Sequence, residues 1–523
     1  MSSRKRRVTR TWAADDATTA SRLRNGFLAE RDAGNGRFEQ AEGPFTEYVR
    51  EVRTDGGRIS DTTRYRIVIP WFGWIFAWPI RATLRGRWRD DGSLPGWAAP
   101  DRLTPLQVKA LGLLAAASMS GAFVNTLFTQ TVNFAADDFG IGESSQAVAG
   151  VLVRCGIVLA LPFLVMADRI GRRRIIVLLA WLAPLCAALG ALAPNFWVLT
   201  GSQMVGRPLG IALDLLIAVA VAEVMPRNSR AYAVSLLAMA SGLGAGVAVA
   251  SLPLADLGEG GWRLVYVVSL VWLLVALDLT RRLPETPRFE RLQERRAAGP
   301  SAAARAHVRR RRFAAIAGVG LAANLFVAPA SYFQNRYLDD VRGYTGAGIA
   351  MFTLATATPA SLGLVIGGRL ADTNGRRRVL ALALPASTAL LVVSFFVAGR
   401  WMWAAAFLGG LLGGTAYPAF AVYRTEMFPT ARRGQVGGFV ATTGLVGGSV
   451  GLITAGVLID RGWSYGSVMA MLGVGQLVAS VIVMLTYPET AHRALEDLNP
   501  DDAELTGPSL RVTPPAPKIA LKP

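Results

Sequence analysis

From about residue 105 to residue 487 the chain is a succession of apolar stretches, each roughly 20 residues long and separated by short polar breaks. A helix of that length crosses a ~30 Å hydrocarbon core. A soluble protein would have to bury all of these faces at once, so the pattern predicts an all-α polytopic membrane protein. Twelve transmembrane helices are predicted, at 107–135, 145–166, 174–193, 196–223, 231–253, 263–283, 313–337, 345–367, 379–399, 401–425, 435–458 and 465–487. The basic stretch RFERLQERRAAGPSAAARAHVRRRR at 288–312 separates six from six. The expected organisation is a six-helix bundle at 105–287, the linker at 288–312, a second six-helix bundle at 313–490, and a polar, Pro-rich, disordered tail at 491–523.

Residues 1–104 follow a different pattern and form an N-terminal extension. TEYVREVRTDGGRISDTTRYRIVI alternates on either side of Asp55-Gly56-Gly57, which predicts a β-hairpin. IPWFGWIFAWPI at 69–80 is apolar but too short to span, and it carries Trp71, Trp74 and Trp78. Tryptophan favours the membrane interface, so this segment is expected to be an in-plane or re-entrant anchor.

Composition narrows the class. Hydrophobic residues make up 52% of the 523, and charged residues only 17%, against about 25% in soluble domains. A net charge of +19 would suit nucleic acid, but the arginines cluster in the breaks between apolar runs, so no nucleic-acid partner is expected. None of Lys5, Lys109, Lys518 and Lys522 follows a Gly-rich loop and precedes Ser or Thr, which excludes a Walker A site and a built-in ATPase. Cys155 and Cys186 both lie in apolar runs and suit neither a metal cluster nor a disulfide framework. No cofactor, metal or enzymatic activity is expected, and MSSRKRRVTR lacks the apolar core of a signal peptide.

Arginine also sets the orientation. One set of loops holds Arg169, Arg172 to Arg174, Arg227, Arg230, the linker run, Arg376 to Arg378, Arg432 and Arg433, whereas the alternate loops hold single arginines such as Arg263 and Arg461. The positive-inside rule places the first set, and both termini, in the cytoplasm of a multi-pass inner (plasma) membrane protein.

The chain also repeats itself. ADRIGRRR at 167–174 returns as ADTNGRRR at 371–378, with Asp168 and Asp372 204 residues apart. Glu285 of PETPRF maps to Glu489 of YPETAH, and Gln130 to Gln334, at the same offset of 204. Glu223-x-x-Pro226-x-x-x-Arg230 maps to Glu426-x-x-Pro429-x-x-x-Arg433 at 203. Three matches at 204 and a fourth at 203 indicate two homologous halves, the arrangement expected of a transporter with its site between them.

These residues resemble a known family. GRLADTNGRRR (368–378) is similar to the loop signature of the major facilitator superfamily, and LADRIGRRR to its first-half copy. PETPRF, the second PET, Gly261-Trp262-Arg263 and YRTEMFPTARRG (423–434) resemble the sugar-porter, organic-ion and metabolite–proton symporter branches. Two departures stand out. Leu164 replaces the Gly usual four residues before the first acid, which suggests looser packing there. SGLGAGVAVAS (241–251) lacks the Gly-Pro pair of many drug–proton antiporters.

The resemblance implies alternating access, with a latch at the cytoplasmic ends. Asp168 and Asp372 would each face the N-terminus of a helix in the opposite half, whose partial positive charge favours a carboxylate. Gly171 and Gly375 would permit the tight turn, and Gly368 belongs to the same signature. Arg169, Arg172, Arg230, Arg288, Arg376 and Arg433 would pair with Glu223, Glu285, Glu426 and Glu489 when that side is shut.

Three charges sit well inside predicted spans: Arg154, Arg207 and Asp214. Each is costly in hydrocarbon and should face a wet cavity or a partner. Gln203, Arg207 and Asp214 share one face of the fourth span, since seven residues bring a helix back to within ~20°. The resemblance places spans one, four, seven and ten around the cavity. Span one contributes Asn125, Thr129 and Asn133 at i, i+4, i+8, with Gln130 alongside; span seven contributes Asn324, Ser331, Gln334 and Asn335; span ten contributes Thr415 and Tyr417. Each amide or hydroxyl could equally join two helices. Arg207 and Asp214 could form a structural ion pair, and Arg154 could hold an anionic group, pair with Asp214 or snorkel outward.

A proton-coupling site needs a group in the cavity that changes charge. His307 and His492 lie in the linker and tail, Glu223 and Glu426 lie at the cytoplasmic ends, and Asp278 lies in the sixth span, which the resemblance implies is an outer one; that leaves Asp214, with Arg207 modulating it. The reading is a monomeric secondary active transporter, partnered by the lipid bilayer, that moves a small organic solute with a proton as coupling ion. A proton-driven exporter is the alternative, and a non-transporting receptor signalling through residues 1–104 is a third. Sugars, carboxylates and zwitterions all suit the polar residues.

Overall fold

The computed structural model describes residues 5–13, 27–55, 58–85, 97–141, 149–150, 152–153, 155–258, 260–298, 309–344, 346–493 and 495–499. In the extension, β1 (Arg6–Ala13), β2 (Ala29–Gly34), β3 (Arg37–Glu42), β4 (Phe45–Asp55) and β5 (Arg58–Ile67) build one sheet in the order β1-β5-β4-β3-β2, with every pairing antiparallel. The expected hairpin is β4–β5, with Asp55 opposite Arg58; Gly56 and Gly57 lie outside the described residues. Sequence patterning missed β1, β2 and β3. AERDAG and RFEQAE carry charge on both faces, so they show no apolar alternation to read.

One part of the sheet is held by buried charge. Arg50 lies 2.9 Å from Glu30 and 3.5 Å from Asp61, and its guanidinium sits 4.3 Å from the centre of the Phe38 ring. Tyr48 donates its hydroxyl to Glu30 at 2.7 Å. Burial pushes the Tyr48 phenol well above its ordinary range, and the adjacent Glu30 carboxylate pushes the same way. Elsewhere Phe45, Tyr65 and Ile67 pack with Ala77, Ile80 and Leu84 of helix α1 (Gly73–Arg85). The tryptophan-rich segment thus enters a helix whose inner face meets the sheet. Trp71, Trp74 and Trp78 remain 45%, 75% and 77% exposed, and Trp71 Nε1 donates to Asp278 at 3.2 Å.

The remainder is helical: α2 (Pro105–Asp138), α3 (Ala160–Ile170), α4 (Arg172–Ala188), α5 (Phe196–Val224), α6 (Arg230–Ala250), α7 (Trp262–Arg282), α8 (Pro287–Ala298), α9 (Arg310–Asp340), α10 (Gly346–Asn374), α11 (Arg376–Ser394), α12 (Gly399–Glu426), α13 (Arg433–Asp460) and α14 (Tyr465–Thr486). Among the described residues ten helices are long and apolar enough to cross a membrane. They are α2, α4 to α7, α9 and α11 to α14, while α3 and α10 lie where the second and eighth spans were expected. Helices α4, α9, α11 and α13 begin at Arg172, Arg310, Arg376 and Arg433, two or three residues before the predicted spans. Arginine is a good helix former, so a polar break need not be a helix break.

The two halves meet through α6 with α10 and α12, α3 with α13, and α5 with α12 and α13. Small residues set the spacing. A Cβ on Gly368 of α10 would lie 2.9 Å from the Ala231 carbonyl oxygen and 2.8 Å from Ser235 Oγ of α6. The looser packing expected at Leu164 is not found: Leu164 is 0% exposed, with Gly438 of α13 leaving it room. The missing glycine of α3 is compensated from across the interface.

Two junctions carry structure that the outline does not name. In the linker, α8 buries Phe289 and Leu292 against one another; residues 299–308 lie outside the described residues. The tail, expected to be disordered from residue 491, is packed up to Asn499. Leu495 and Leu498 are buried in a helical turn, and Asn499 Nδ2 donates to the Glu426 carbonyl at 2.7 Å. Two leucines three residues apart give this turn an apolar side that the Pro-rich composition of residues 500–523, outside the described residues, obscures.

Candidate functional site

The charged residues of the two repeated loops converge at one end of the molecule. Asp168, at the end of α3, crosses to the other half and accepts the backbone N–H groups of Gly434 at 3.2 Å and Gln435 at 3.0 Å. These amides open α13, and the first four amides of a helix have no partner of their own. Asp372, at the end of α10, crosses in the opposite direction and accepts the Tyr232 N–H in the first turn of α6 at 3.0 Å. Each carboxylate sits on the positive end of a helix dipole belonging to the opposite half.

Behind each acid stands an arginine one turn on. Arg172 is 3.1 Å from Asp168 and 3.4 Å from Glu223, and donates to the Thr430 carbonyl across the interface at 2.5 Å. Arg376 is 2.8 Å from Asp372, pairs with Glu426, and donates to the Arg227 carbonyl across the interface at 3.0 Å. Further cross-pairs join the halves: Arg433 with Glu223 at 3.1 Å, and Arg230 with Glu426 at 2.8 Å. Arg172, Arg376 and Arg433 are fully buried. Removing one partner of such a pair would leave the other charge buried and uncompensated.

Glu285 and Glu489 do other work. Glu285 accepts the N–H of Arg173 at 3.1 Å and of Thr286 at 3.0 Å; Glu489 accepts those of Arg376 at 3.0 Å and Arg377 at 3.1 Å. Each therefore caps a helix of its own half, Glu285 the start of α4 and Glu489 the start of α11. Burial raises the Glu285 carboxyl above its ordinary range, and those amides pull it back. Gly171 (φ 121°) and Gly375 (φ 101°) occupy backbone that side chains rarely adopt. A Cβ there would stand 2.6 Å from Glu285 Oε2 and 2.7 Å from Glu489 Oε2. Arg169 is exposed at the end of α3, and Arg288 is half-buried in the first turn of α8.

Deeper in the molecule, Asp214 of α5 turns toward α2. It accepts from Asn125 Nδ2 at 3.1 Å and Ser118 Oγ at 3.3 Å, and Ser118 is 2.6 Å from Ser241 of α6. Glycine makes this crossing close: a Cβ on Gly121 would lie 2.7 Å from Asp214 Oδ1, and one on Gly210 2.7 Å from Asn125 Oδ1. Asn125 Oδ1 is itself buried without a hydrogen-bond partner among the described residues. The hydrogen bonds of Asp214 therefore run to α2 and not to Arg207, which lies two turns, ~10.5 Å, along α5 and is half-buried.

The remaining expected residues stay apart. Gln203 is fully buried and donates to the Ala187 carbonyl of α4 at 3.3 Å, so it joins two helices of its own half and does not continue a cavity stripe. Asn324 donates to the Gly320 carbonyl at 2.8 Å, and Thr415 to the Leu412 carbonyl at 2.7 Å, each within its own helix. Thr129, Ser331 and Tyr417 are exposed, and Gln130 and Gln334 are half-buried. Asn133 and Asn335 continue α2 and α9, but their side chains, like all of Arg154, lie outside the described residues.

Sequence reasoning missed the partners. The amides of Tyr232, Gly434 and Gln435 are backbone groups that no residue type announces. Ser118 could have been found, because it lies seven residues from Asn125 on the same face of α2.

Comparison with known proteins now fits this geometry. The Major Facilitator Superfamily family model matches residues 112–358 and 337–519. A probable 4-methylmuconolactone transporter of Cupriavidus pinatubonensis is 27% identical over 352 residues, spanning 65% of this chain and 80% of that protein. A cis,cis-muconate transport protein of Acinetobacter baylyi is 28% identical over 341 residues, 62% of this chain and 80% of its own length. Among solved structures, the proton:xylose symporter XylE bound to 6-bromo-6-deoxy-D-glucose superposes with a TM-score of 0.61 at 17% identity, covering 75% of this chain and 98% of XylE. The FucP transporter in its outward conformation gives 0.60 at 17% identity, covering 72% and 99%.

The class is a multi-pass membrane protein that carries out secondary transport. The chain belongs to the Major Facilitator Superfamily, and its β-sheet lies before the matched residues.

Proposed function

We propose that this protein is a proton-coupled symporter that carries a small organic acid across the plasma membrane by alternating access. The observation that supports it most is the reciprocal latch, in which Asp168 and Asp372 each rest on a helix N-terminus of the other half. These contacts, and the Arg433–Glu223 and Arg230–Glu426 pairs, exist only while the halves are closed at that end. They supply the difference in free energy between two states that an alternating-access cycle requires. We place this end in the cytoplasm, with both termini, on the arginine bias of its loops, and take α3 and α10 as completing twelve spans in two related bundles.

Asp214 is the proposed proton carrier. Its partner Asn125 suits either charge state, since an amide donates through nitrogen to a carboxylate or accepts through oxygen from a carboxylic acid, and Asn125 Oδ1 has no other hydrogen bond among the described residues. The relatives named for muconate and a muconolactone favour an organic acid, and the guanidinium of Arg207 on the same helix is the natural complement of a carboxylate.

The test is uptake of labelled cis,cis-muconate and related acids into proteoliposomes, with and without an inward proton gradient. Concentrative uptake is expected only with the gradient, and Asp214→Asn should lose it while retaining exchange of solute across the membrane. Accumulation that ignores the gradient, or an Asp214→Asn protein that still concentrates solute, would reject the coupling site. Outward pumping would turn the reading to export.

A further inference from the structure

Between the sheet, α1 and the first half lies a cavity of about 190 Å³. Its walls are Phe45 and Ile67 of the sheet, Phe76 of α1, and Leu111, Leu236 and Leu243 of the spans α2 and α6. Asp101, the acid among its lining residues, is engaged elsewhere. Its carboxylate accepts from Asn228 Nδ2 at 2.9 Å, from the Asn228 N–H at 3.1 Å and from Ser229 Oγ at 3.1 Å. Among the described residues the lining is therefore almost wholly apolar. Apolar cavities of ~150 Å³ stay dry and take up apolar molecules.

The rim of the cavity identifies the occupant. Leu243 lies on α6, a helix apolar enough to cross the membrane, and is 52% exposed; Ile75 of α1 is 42% exposed. The cavity is thus continuous with the surface that α6 presents to hydrocarbon. On the outer face of α1, Trp74 and Trp78 stand free of the sheet, and Arg81 and Arg85 follow along the same face, exposed. Tryptophans followed by arginines on one helix face match the acyl boundary and anionic headgroups of a leaflet.

We propose that an acyl chain of a bilayer phospholipid enters this cavity from the side, beneath α1 lying in the membrane interface. Tyr232 also lines the cavity. Its hydroxyl donates to the Trp97 carbonyl at 2.6 Å, and its backbone N–H is the group that binds Asp372. The chain would therefore touch the residue through which the second half is held. Binding itself does not depend on the transport reading.

The test uses the full-length protein in phosphatidylethanolamine–phosphatidylglycerol vesicles containing a phosphatidylglycerol with a diazirine in one acyl chain. After illumination, adducts are mapped by peptide mass spectrometry. A several-fold excess per residue is expected on 72–76 and 236–243, relative to the lipid-exposed face of α14 around Leu477 and Leu485. Ala240→Phe and, separately, Met239→Trp should fill the cavity and remove that excess, with labelling of α14 unchanged as the sign of a folded protein. Equal labelling of the two regions would overturn the proposal, as would an excess that survives both substitutions. Labelling by a water-soluble apolar diazirine but not by the lipid would assign the cavity to a soluble molecule and overturn it as well.

Discussion

Asp168 and Asp372 show how much a single side chain can carry when its partner is a backbone. Each is held by amides that nothing else in the opposite helix can use, so losing the charge costs the latch directly. Hydrogen bonds to charged groups contribute about 1.5–3 kcal/mol, which corresponds to roughly a 10- to 100-fold change in the ratio of the two states. Asp372→Asn and Asp168→Asn are both expected to shift the population by that order toward the state open at the arginine-rich end. The measure is thiol labelling of cysteines placed along α6 and α13, with unchanged membrane insertion. The looser packing expected at Leu164 would weaken the effect at Asp168, but Gly438 leaves room for close packing and Asp168 holds two amides, so the two variants should be comparable. At this scale the acids and arginines were legible because the repeat marks them twice. Their acceptors and donors were not, because a main-chain N–H leaves no trace in residue type. Gln203 shows the complementary difficulty: a helix face can be computed from spacing, but which neighbour it meets cannot.

At the scale of the element, ten of the twelve expected spans coincide with helices long and apolar enough to cross a membrane, and four of these helices start two or three residues earlier than expected. Arg172, Arg376 and Arg433 sit inside the helices they were expected to precede, where their guanidinium groups reach back to the preceding loop and across the interface. What ends the helix before each of two such arginines is glycine. Gly171 and Gly375 adopt positive φ, and each lies against a glutamate that caps the next helix. Gly375→Ala should cost about 1–3 kcal/mol from backbone conformation alone, and the contact with Glu489 adds to it. A lower melting temperature of the purified protein is the expected result, with exposed Thr373→Ala near neutral as the control. The strands of the extension were half legible. The β4–β5 hairpin advertises itself by alternation, whereas β2 and β3 are charged on both sides and are recognised only through the sheet they join.

For the whole molecule, the asymmetry of arginine between alternate loops predicts which end faces the cytoplasm. Single cysteines in a Cys-less background at Arg378, in α8 and beside Asp138 provide the check. The first two should be protected from an impermeant thiol reagent in intact cells and the third labelled; labelling of α8 from outside would reverse the map. The repeat at about 200 residues is what suggests a division into two halves, whereas the attachment of the extension has no such sign in the sequence. A lone Asp101 ahead of the first span has no sequence signature, yet it grips Asn228 and Ser229, just ahead of α6, while Trp97 grips Tyr232. The sheet is thus bolted to the helix that carries one jaw of the latch. Any rocking of the first half must carry the sheet with it, as an arm. The eleven residues of β4 extend roughly 35 Å, so each 10° of rotation would displace one end of the strand relative to the other by up to about 6 Å. A partner holding that end would feel every turnover as a mechanical stroke, and by resisting the stroke could slow the carrier without approaching its solute path.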